Sequence, residues 1–356
     1  MYENTLRSPT LRAGAGRRRT VAAIVAVAVA AVCAPAGTAS AARETTRTAG
    51  SDCRIGTLPV PDGSFRSEVF AGDPTGRYLI GEAAVATAGG TEVVSLFWVR
   101  GKLTHFPTPY AEAELRDVNS SGQVVGSAMG PDGHRRGWVY RDGVFTLLPG
   151  LKPTDETLSQ AINERGDVVG TATDSSASPP RTHLVVWPAA RPEAVRELRV
   201  AGENDDLVAI DIDDDGAAIG RTNLAIGSTT YVWPARGKAF ALRGPSGSTE
   251  VAAVSLRKGW VAGWDNSVAS GSLPTRWNVR KGIVRHVSTD VYFVYSGNGR
   301  GDVGLGGAIA RRHGGIVPVP GLTPTAGSAV KVLSDRDLAA GFSNDGQAKA
   351  VVWRGC

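Results

Sequence analysis

Ala161-Ile-Asn163-Glu-Arg-Gly166-Asp-Val168-Val-Gly170, followed by His183-Leu-Val-Val-Trp187, is one statement of a pattern that this 356-residue chain makes seven times. Each statement is a short apolar strand, a tight turn closing on Gly, a second apolar strand and then an aromatic residue. The turns read Asp73-Pro-Thr-Gly76, Asn119-Ser-Ser-Gly122, Asn163-Glu-Arg-Gly166, Asp213-Asp-Asp-Gly216, Ser255-Leu-Arg-Lys-Gly259, Asn298-Gly-Arg-Gly301 and Ser334-Asp-Arg-Asp337. A period of about 37 to 50 residues belongs to propellers and arrays, so the repeat decides the architecture before any local reading.

Within one copy the alternation, the β-branched residues and a turn signal every ten or so residues give four strands. In the second copy these are Leu115 to Asn119, Gln123 to Ala128, Gly137 to Tyr140 and Val144 to Leu148. Asn, Asp or Ser at the first turn position accepts a hydrogen bond from its own turn, and Gly at the fourth suits a left-handed backbone. Asp337 replaces that Gly in the last copy, and Asp tolerates the same conformation. Gly126, Gly170, Gly220, Gly263 and Gly341 recur inside the second strand, which marks close approach of a backbone or a bulky side chain. Trp98, Tyr140, Trp187, Trp233, Trp277 and Trp353 share one third-strand position and are read as core; Trp138, Trp260 and Trp264 fall outside the series.

The pattern Ala-x-x-Ile-Asn-x-x-Gly-x-Val-Val-Gly followed by His-x-x-x-Trp resembles the HAF-type extracellular repeat family of bacterial secreted proteins. The third copy carries it most fully: Ala161-Ile162-Asn163, Gly166, Val168-Val169-Gly170 and His183 to Trp187. The resemblance spans nearly all of the chain after its first segment. It implies an exported, repeat-built β-protein and carries over no catalytic residue.

The seventh copy ends at Trp353-Arg-Gly-Cys356 after its third strand. Cys53-Arg-Ile-Gly-Thr-Leu58-Pro59 reads like the fourth strands of other copies, such as Val144 to Pro149. The expectation is therefore an all-β, seven-bladed β-propeller of four-stranded blades. The N-terminal strand pairs in the last blade, and a Cys53–Cys356 disulfide stands where other blades have a hairpin turn. An open array or another blade count is the alternative.

Residues 1–42 stand apart. Arg17, Arg18 and Arg19 precede an Ala/Val run from Val21 to Val32, and small residues follow up to Ala42, which reads as a secretory signal peptide. The run is too short for a membrane span. Residues 43–52 form a short linking segment and 53–356 a single propeller domain. The net charge is +5, but five Arg and one Glu lie in the first 42 residues, which leaves about +1 for the rest. That balance supplies no basic stripe for nucleic acid. The localisation expected is extracellular and the protein monomeric.

Candidate chemistry is sparse. Asp211-Ile-Asp213-Asp-Asp215-Gly216 spells the first half of a calcium loop, but Ile219 and Thr222 stand where closing ligands belong. Arg300-Gly301-Asp302 spells an adhesion tripeptide on a turn whose Gly the geometry requires. The five His show no zinc spacing, and neither a nucleophile elbow nor a phosphate loop is present. Loops before each first strand, and between second and third strands, share one end of a propeller. They carry Glu112, Glu114, Asp155, Glu156, Glu203 to Asp206 and Glu250 in one class, and Asp132, His134, Asp174, Trp264, Asp265 and Asn266 in the other; Tyr292, Phe293 and Tyr295 join them. Asp205, Asp206, Trp264, Asp265, Tyr292 and Tyr295 are the candidate binding residues. Two readings follow. One is a non-catalytic secreted propeller that binds a protein or carbohydrate through one face. The other is a secreted hydrolase or lyase with channel-mouth carboxylates as acid and base. A channel gathering Asp, Glu or His favours the enzyme; one lined by Gly, Ala and Ser removes it.

Overall fold

In a computed structural model the described residues are 53–110, 112–200, 206–222, 228–245, 247, 249–266, 271–287 and 293–356. The signal and linking segments lie outside them, as do Asp205 and Tyr292. The chain divides into units Met1–Ala49 and Gly50–Cys356, and every element belongs to the second.

The described residues build seven four-stranded antiparallel sheets and no helix long and apolar enough to cross a membrane. Blade 1 contains β2 (Ser64–Gly72), β3 (Tyr78–Thr87), β4 (Gly90–Val99) and β5 (Lys102–Leu103). Blade 2 contains β6 (Glu114–Val118), β7 (Val124–Met129), β8 (Arg135–Arg141) and β9 (Val144–Leu147). Blade 3 contains β10 (Glu156–Ile162), β11 (Val168–Asp174), β12 (Arg181–Trp187) and β13 (Arg196–Glu197). Blade 4 contains β14 (Leu207–Ile212), β15 (Ala218–Thr222), β16 (Thr230–Trp233) and β17 (Phe240–Ala241). Blade 5 contains β18 (Val251–Arg257), β19 (Trp260–Asp265), β20 (Leu273–Asn278) and β21 (Ile283–His286). Blade 6 contains β22 (Val294–Gly297), β23 (Val303–Leu305), β24 (Ala308–Ala310) and β25 (Ile316–Pro318). Blade 7 joins β26 (Gly327–Leu333), β27 (Leu338–Asn344) and β28 (Ala348–Arg354) to β1 (Arg54–Thr57).

The ring closes as the strand count requires. β1 pairs antiparallel with β28, Arg54 opposite Arg354 and Thr57 opposite Val351, and the Cys53–Cys356 disulfide spans a sequence separation of 303. Seven apolar clusters fill the seams, each shared by two neighbouring blades. Each blade thus buries its faces against its neighbours, which is why no single repeat is a core by itself.

Two repeat signatures are explained by these seams. The Asx residue of the first turn caps its own turn and reaches the next blade. Asn163 Oδ1 accepts from Arg165 N and Asp167 N, while its Nδ2 donates to Asp213 O at 3.0 Å. Asn119 and Asn298 donate likewise to Asn163 O and Ser334 O. The third-strand Trp is a latch: Trp98, Trp187, Trp233, Trp277 and Trp353 donate Nε1–H to a carbonyl just after the outer strand of the preceding blade, at 2.6–2.9 Å. The second-strand Gly makes room for this. A Cβ on Gly170 would overlap Leu158 O and stand 2.8 Å from Trp187.

Three sequence expectations need correction. In blade 5, Leu256 pairs with Val261 and Arg257 with Trp260, so the turn is the two residues Lys258-Gly259 and starts at Arg257, not Ser255. With no Asx of its own, this turn is capped by Asp213 of blade 4, whose carboxylate accepts from Lys258 N and Gly259 N, both at 2.7 Å. Gly76, Gly122, Gly166, Gly216 and Gly301 have φ of 71° to 90° as expected, but Asp337 is absent from the positive-φ residues. Ser334 Oγ instead accepts from Arg336 N and Leu338 N and closes that turn without a left-handed residue. In blade 2 Tyr140 keeps the expected register opposite Val124 yet is only half-buried. Trp138, opposite Gly126, is fully buried and fills the Trp space from two residues earlier.

Candidate functional site in the central channel

In all seven blades the register of the innermost strand slips by one residue at the same place, a β-bulge. A bulge leaves one residue unpaired and re-aims its side chain. The residues skipped are Phe70, Arg116, Gln160, Ile210, Val254, Tyr295 and Lys331, and every one lines a central cavity of about 390 Å³. The channel is therefore made by a repeat position, three residues before the turn in all seven blades.

Its lining divides into two walls. On the side of blades 6, 7 and 1, the Lys331 ammonium lies 4.7 Å from the Tyr295 ring centroid and 3.8 Å from Glu68 Oε2. Burial, and then the Glu68 charge, push the Tyr295 hydroxyl above its ordinary pKa. Phe293, 62% exposed, stacks on Tyr295 at 6.3 Å and extends this wall outward.

On the side of blades 2 to 5 stand two carboxylates directly after their bulges. Asp117 accepts from Val118 N at 2.8 Å and, across the seam, from Ile162 N at 2.9 Å. Asp211 accepts from Ile212 N at 2.8 Å and from Leu256 N of blade 5 at 2.7 Å. Both side chains keep a path to the channel but are surrounded by protein, and desolvation pushes both up, Asp117 to about 7 and Asp211 to about 6. The Asp211 charge raises Asp117 further, while the N–H donors and Arg257 act the other way. Arg257 also reaches Glu164 Oε1 at 3.2 Å. The position of Asp117 and Asp211 is Ala71, Ala161, Ser255, Ser296 and Val332 in the other blades, so blade geometry does not call for acids there.

Of the sequence-derived candidates, Tyr295 belongs to the channel. Asp206 is exposed at the start of blade 4 with φ of 62°. Trp264 is half-buried and packs into the seam of blades 5 and 6, and Asp265 is buried with His286 Nε2 at 3.2 Å from Oδ2. The two loop classes do meet at one end. Lys152, before blade 3, pairs with Asp174 at the end of β11, and Asn266 N donates to Glu250 O at 2.8 Å. Two of their acids are neutralised in place: Asp174 is held well below the ordinary carboxylate range, first by Lys152, and Asp132 is lowered by Arg136.

The calcium-like run is dispersed over other tasks. Asp211 braces blade 5 from the channel, Asp213 caps the next turn and binds Arg280 at 2.7 Å, and Asp215 holds Ala217 N and Arg280. The oxygens that a calcium ion needs already face N–H donors. Among the described residues no group of three or more His, Cys, Asp or Glu is placed to hold a metal ion.

Sequence reasoning passed over Arg116, Asp117, Gln160, Arg257 and Lys331. The signal was there in the phase of the repeat: counting back three residues from the turn names Arg116, Gln160 and Lys331, and counting back two names Asp117.

No protein-family model and no curated protein sequence matches the chain. Solved structures do. A puromycin hydrolase aligns with a TM-score of 0.58 at 14% identity over 83% of this chain and 54% of its own. A Mycobacterium tuberculosis puromycin-hydrolyzing peptidase aligns at 0.55 with 13% identity, covering 84% and 53%. Pyrococcus horikoshii acylaminoacyl peptidase aligns at 0.52 with 10% identity, covering 81% and 53%. The chain spans about half the length of these proteins, and at such identity the likeness is one of propeller fold.

Proposed function

We propose that this chain is an exported binding propeller of the HAF-type repeat class, and that it takes its ligand at the central channel. The observation that carries this is the channel lining itself. Five blades have Ala, Ser or Val after the bulge, whereas blades 2 and 4 set Asp117 and Asp211 there, facing a Tyr295–Lys331 wall. Acids that the other five blades do without, in a concave site with an aromatic and a cation opposite, suit a ligand with both a donor-rich and an anionic part, such as a peptide end or an amino sugar. The chain's signal-like first segment and its disulfide favour export.

The hydrolase reading has one observation in its favour, the two carboxyl groups raised into the neutral range. Against it, both oxygens of each carboxylate already accept backbone N–H groups, which leaves them as braces with little freedom to attack or shuttle.

The test is capture from envelope and medium fractions, together with a glycan array, comparing wild type with Lys331→Ala and Tyr295→Ala. Retention by wild type and loss by both variants is expected, with the captured ligand recovered intact. A ligand recovered cleaved, and left whole by Asp117→Asn, would establish the hydrolase instead; equal capture by the channel variants would end the channel reading.

A further inference from the structure

Blade 5 breaks the repeat a second time, in its third strand. The residue before the latch Trp is Phe97, Val139, Val186, Val232, Ile309 and Val352 by register in the other blades, and Arg276 in blade 5. Arg276 is 8% exposed, and among the described residues no carboxylate forms an ion pair with it: Nη1 donates to Gly301 O at 2.8 Å and Nη2 to Arg311 O at 3.1 Å, both carbonyls of blade 6. Directly across the strands its partner is Arg285. Like charges directly opposite each other cost stability, so this pair is not there for the sheet.

Around the pair is a cavity of about 300 Å³, walled by Trp260, Ile283, Lys281, Arg312 and His313 besides the two arginines. Arg312 sits on the turn between β24 and β25 and lies 5.6 Å over the Trp260 ring. Its turn is fixed from beneath, since Asp302 accepts from Arg312 N at 2.9 Å. Asp302 also faces this seam, and it is already engaged by Arg311 at 3.1 Å and Arg300 at 3.3 Å. Among the described residues, Lys281, Arg285 and Arg312 make no ion pair with a carboxylate. Burial lowers the Arg276 pKa most, the Asp302 charge works against that, and the Arg285 and Arg312 charges add to the lowering. Such a cluster is too small for a nucleic-acid strand. An indole and an aliphatic side chain beside guanidinium groups instead match a ring that bears an anionic substituent.

We propose that the seam of blades 5 and 6 is a binding site for an acidic saccharide residue, whose carboxylate or sulfate is taken by Arg276, Arg285 and Arg312 while the sugar ring packs on Trp260 and Ile283. This site is separate from the central channel and does not depend on the reading given to it.

The test is calorimetric and tryptophan-fluorescence titration of the intact protein with a glucuronate-containing tetrasaccharide, a sulfated heparin disaccharide, maltotetraose as the neutral sugar and sodium sulfate as the free anion. One or both acidic sugars bind at one per chain and perturb tryptophan emission, and maltotetraose does not. The relative strength of the two tells a carboxylate site from a sulfate site. Binding weakens about tenfold in Arg285→Ala and in Arg312→Ala, the scale of one lost charge-assisted hydrogen bond, and weakens as NaCl is raised. Arg285 is exposed and stands opposite a like charge, so Arg285→Ala melts no lower than wild type, and Lys331→Ala in the channel keeps the affinity. Absence of binding by both acidic sugars, or binding undiminished in the two Arg variants, overturns the site. Sulfate binding as tightly as the sugars overturns the saccharide assignment.

Discussion

The seam between blades 3 and 4 and the seam between blades 5 and 6 solve one problem in different ways. Among the described residues the first shares eleven buried apolar ones, Tyr231 and Trp233 among them, and is latched by Trp233 Nε1 on Arg199 O. The second shares six, all aliphatic, has Ala310 where the latch belongs, and is held by Arg276 on two carbonyls. Apolar burial is non-directional and tolerates no gaps, whereas a guanidinium fixes two groups while leaving space around them. The latched seam is scaffold. The unlatched seam has room for a ligand.

The largest perturbation tests how unequal the seams are. Opening the disulfide, in Cys53→Ser or by reduction, removes a closure worth roughly 5 kcal/mol as a chain-entropy upper estimate. Amide exchange then rises first in β22 to β25, whose blade leans on the closing one through Arg311 to Cys356 O and Asn298 to Ser334 O, and last in β10 to β17. Uniform loss of protection would mean that the seams do not differ in strength.

A second variant attacks the strong seam directly. Trp233→Ala empties a buried aromatic site and its latch and costs about 3–5 kcal/mol by denaturant unfolding. The loss appears as lower protection on both sides of the seam of blades 3 and 4. A cost below about 1 kcal/mol would show that the latch is dispensable.

The smallest effect is a pH dependence confined to the well-packed half of the ring. Asp117 braces blade 3 and Asp211 braces blade 5, and both hold their protons above the ordinary carboxylate value of 3.8, to about 7 and about 6. The folded state therefore binds more protons than the unfolded chain from roughly pH 4 to 7. Their contribution is complete below that window and is lost as pH rises through it. Urea midpoints should fall from pH 4.5 to 8 and level off above. Arg257→Gln, which removes the cation that lowers both groups, shifts the fall to higher pH; an unchanged profile in that variant would detach Arg257 from the pair.

Legibility followed what each residue answers to. The Gly of each turn, the Asx before it and the Trp of the third strand are demanded locally by φ, by orphan N–H groups and by a fixed strand register, so they repeat and can be counted. Ser255 was misread as the start of its turn because a Ser stands at nearly the right spacing, while the real turn borrows its cap from Asp213 of the preceding blade. Trp138 was set aside for being two residues early, although a strand shows the same face every second residue. Asp117 and Lys331 repeat nothing, and only the bulge phase points to them.

By itself the sequence determined seven blades, their four strands, the shared last blade and the pairing of Cys53 with Cys356, because those follow from periodicity and from an uncompleted count. The tertiary structure alone decided which side chains meet. Asp117 and Asp211 lie 94 positions apart and influence each other along one wall of the channel, and Arg276 and Arg312 are 36 apart and share one pocket. Closing the ring turns equal repeat positions into neighbours in space. Which of those neighbours are charged is a matter of their identities, and no spacing along the chain reports the distance between them.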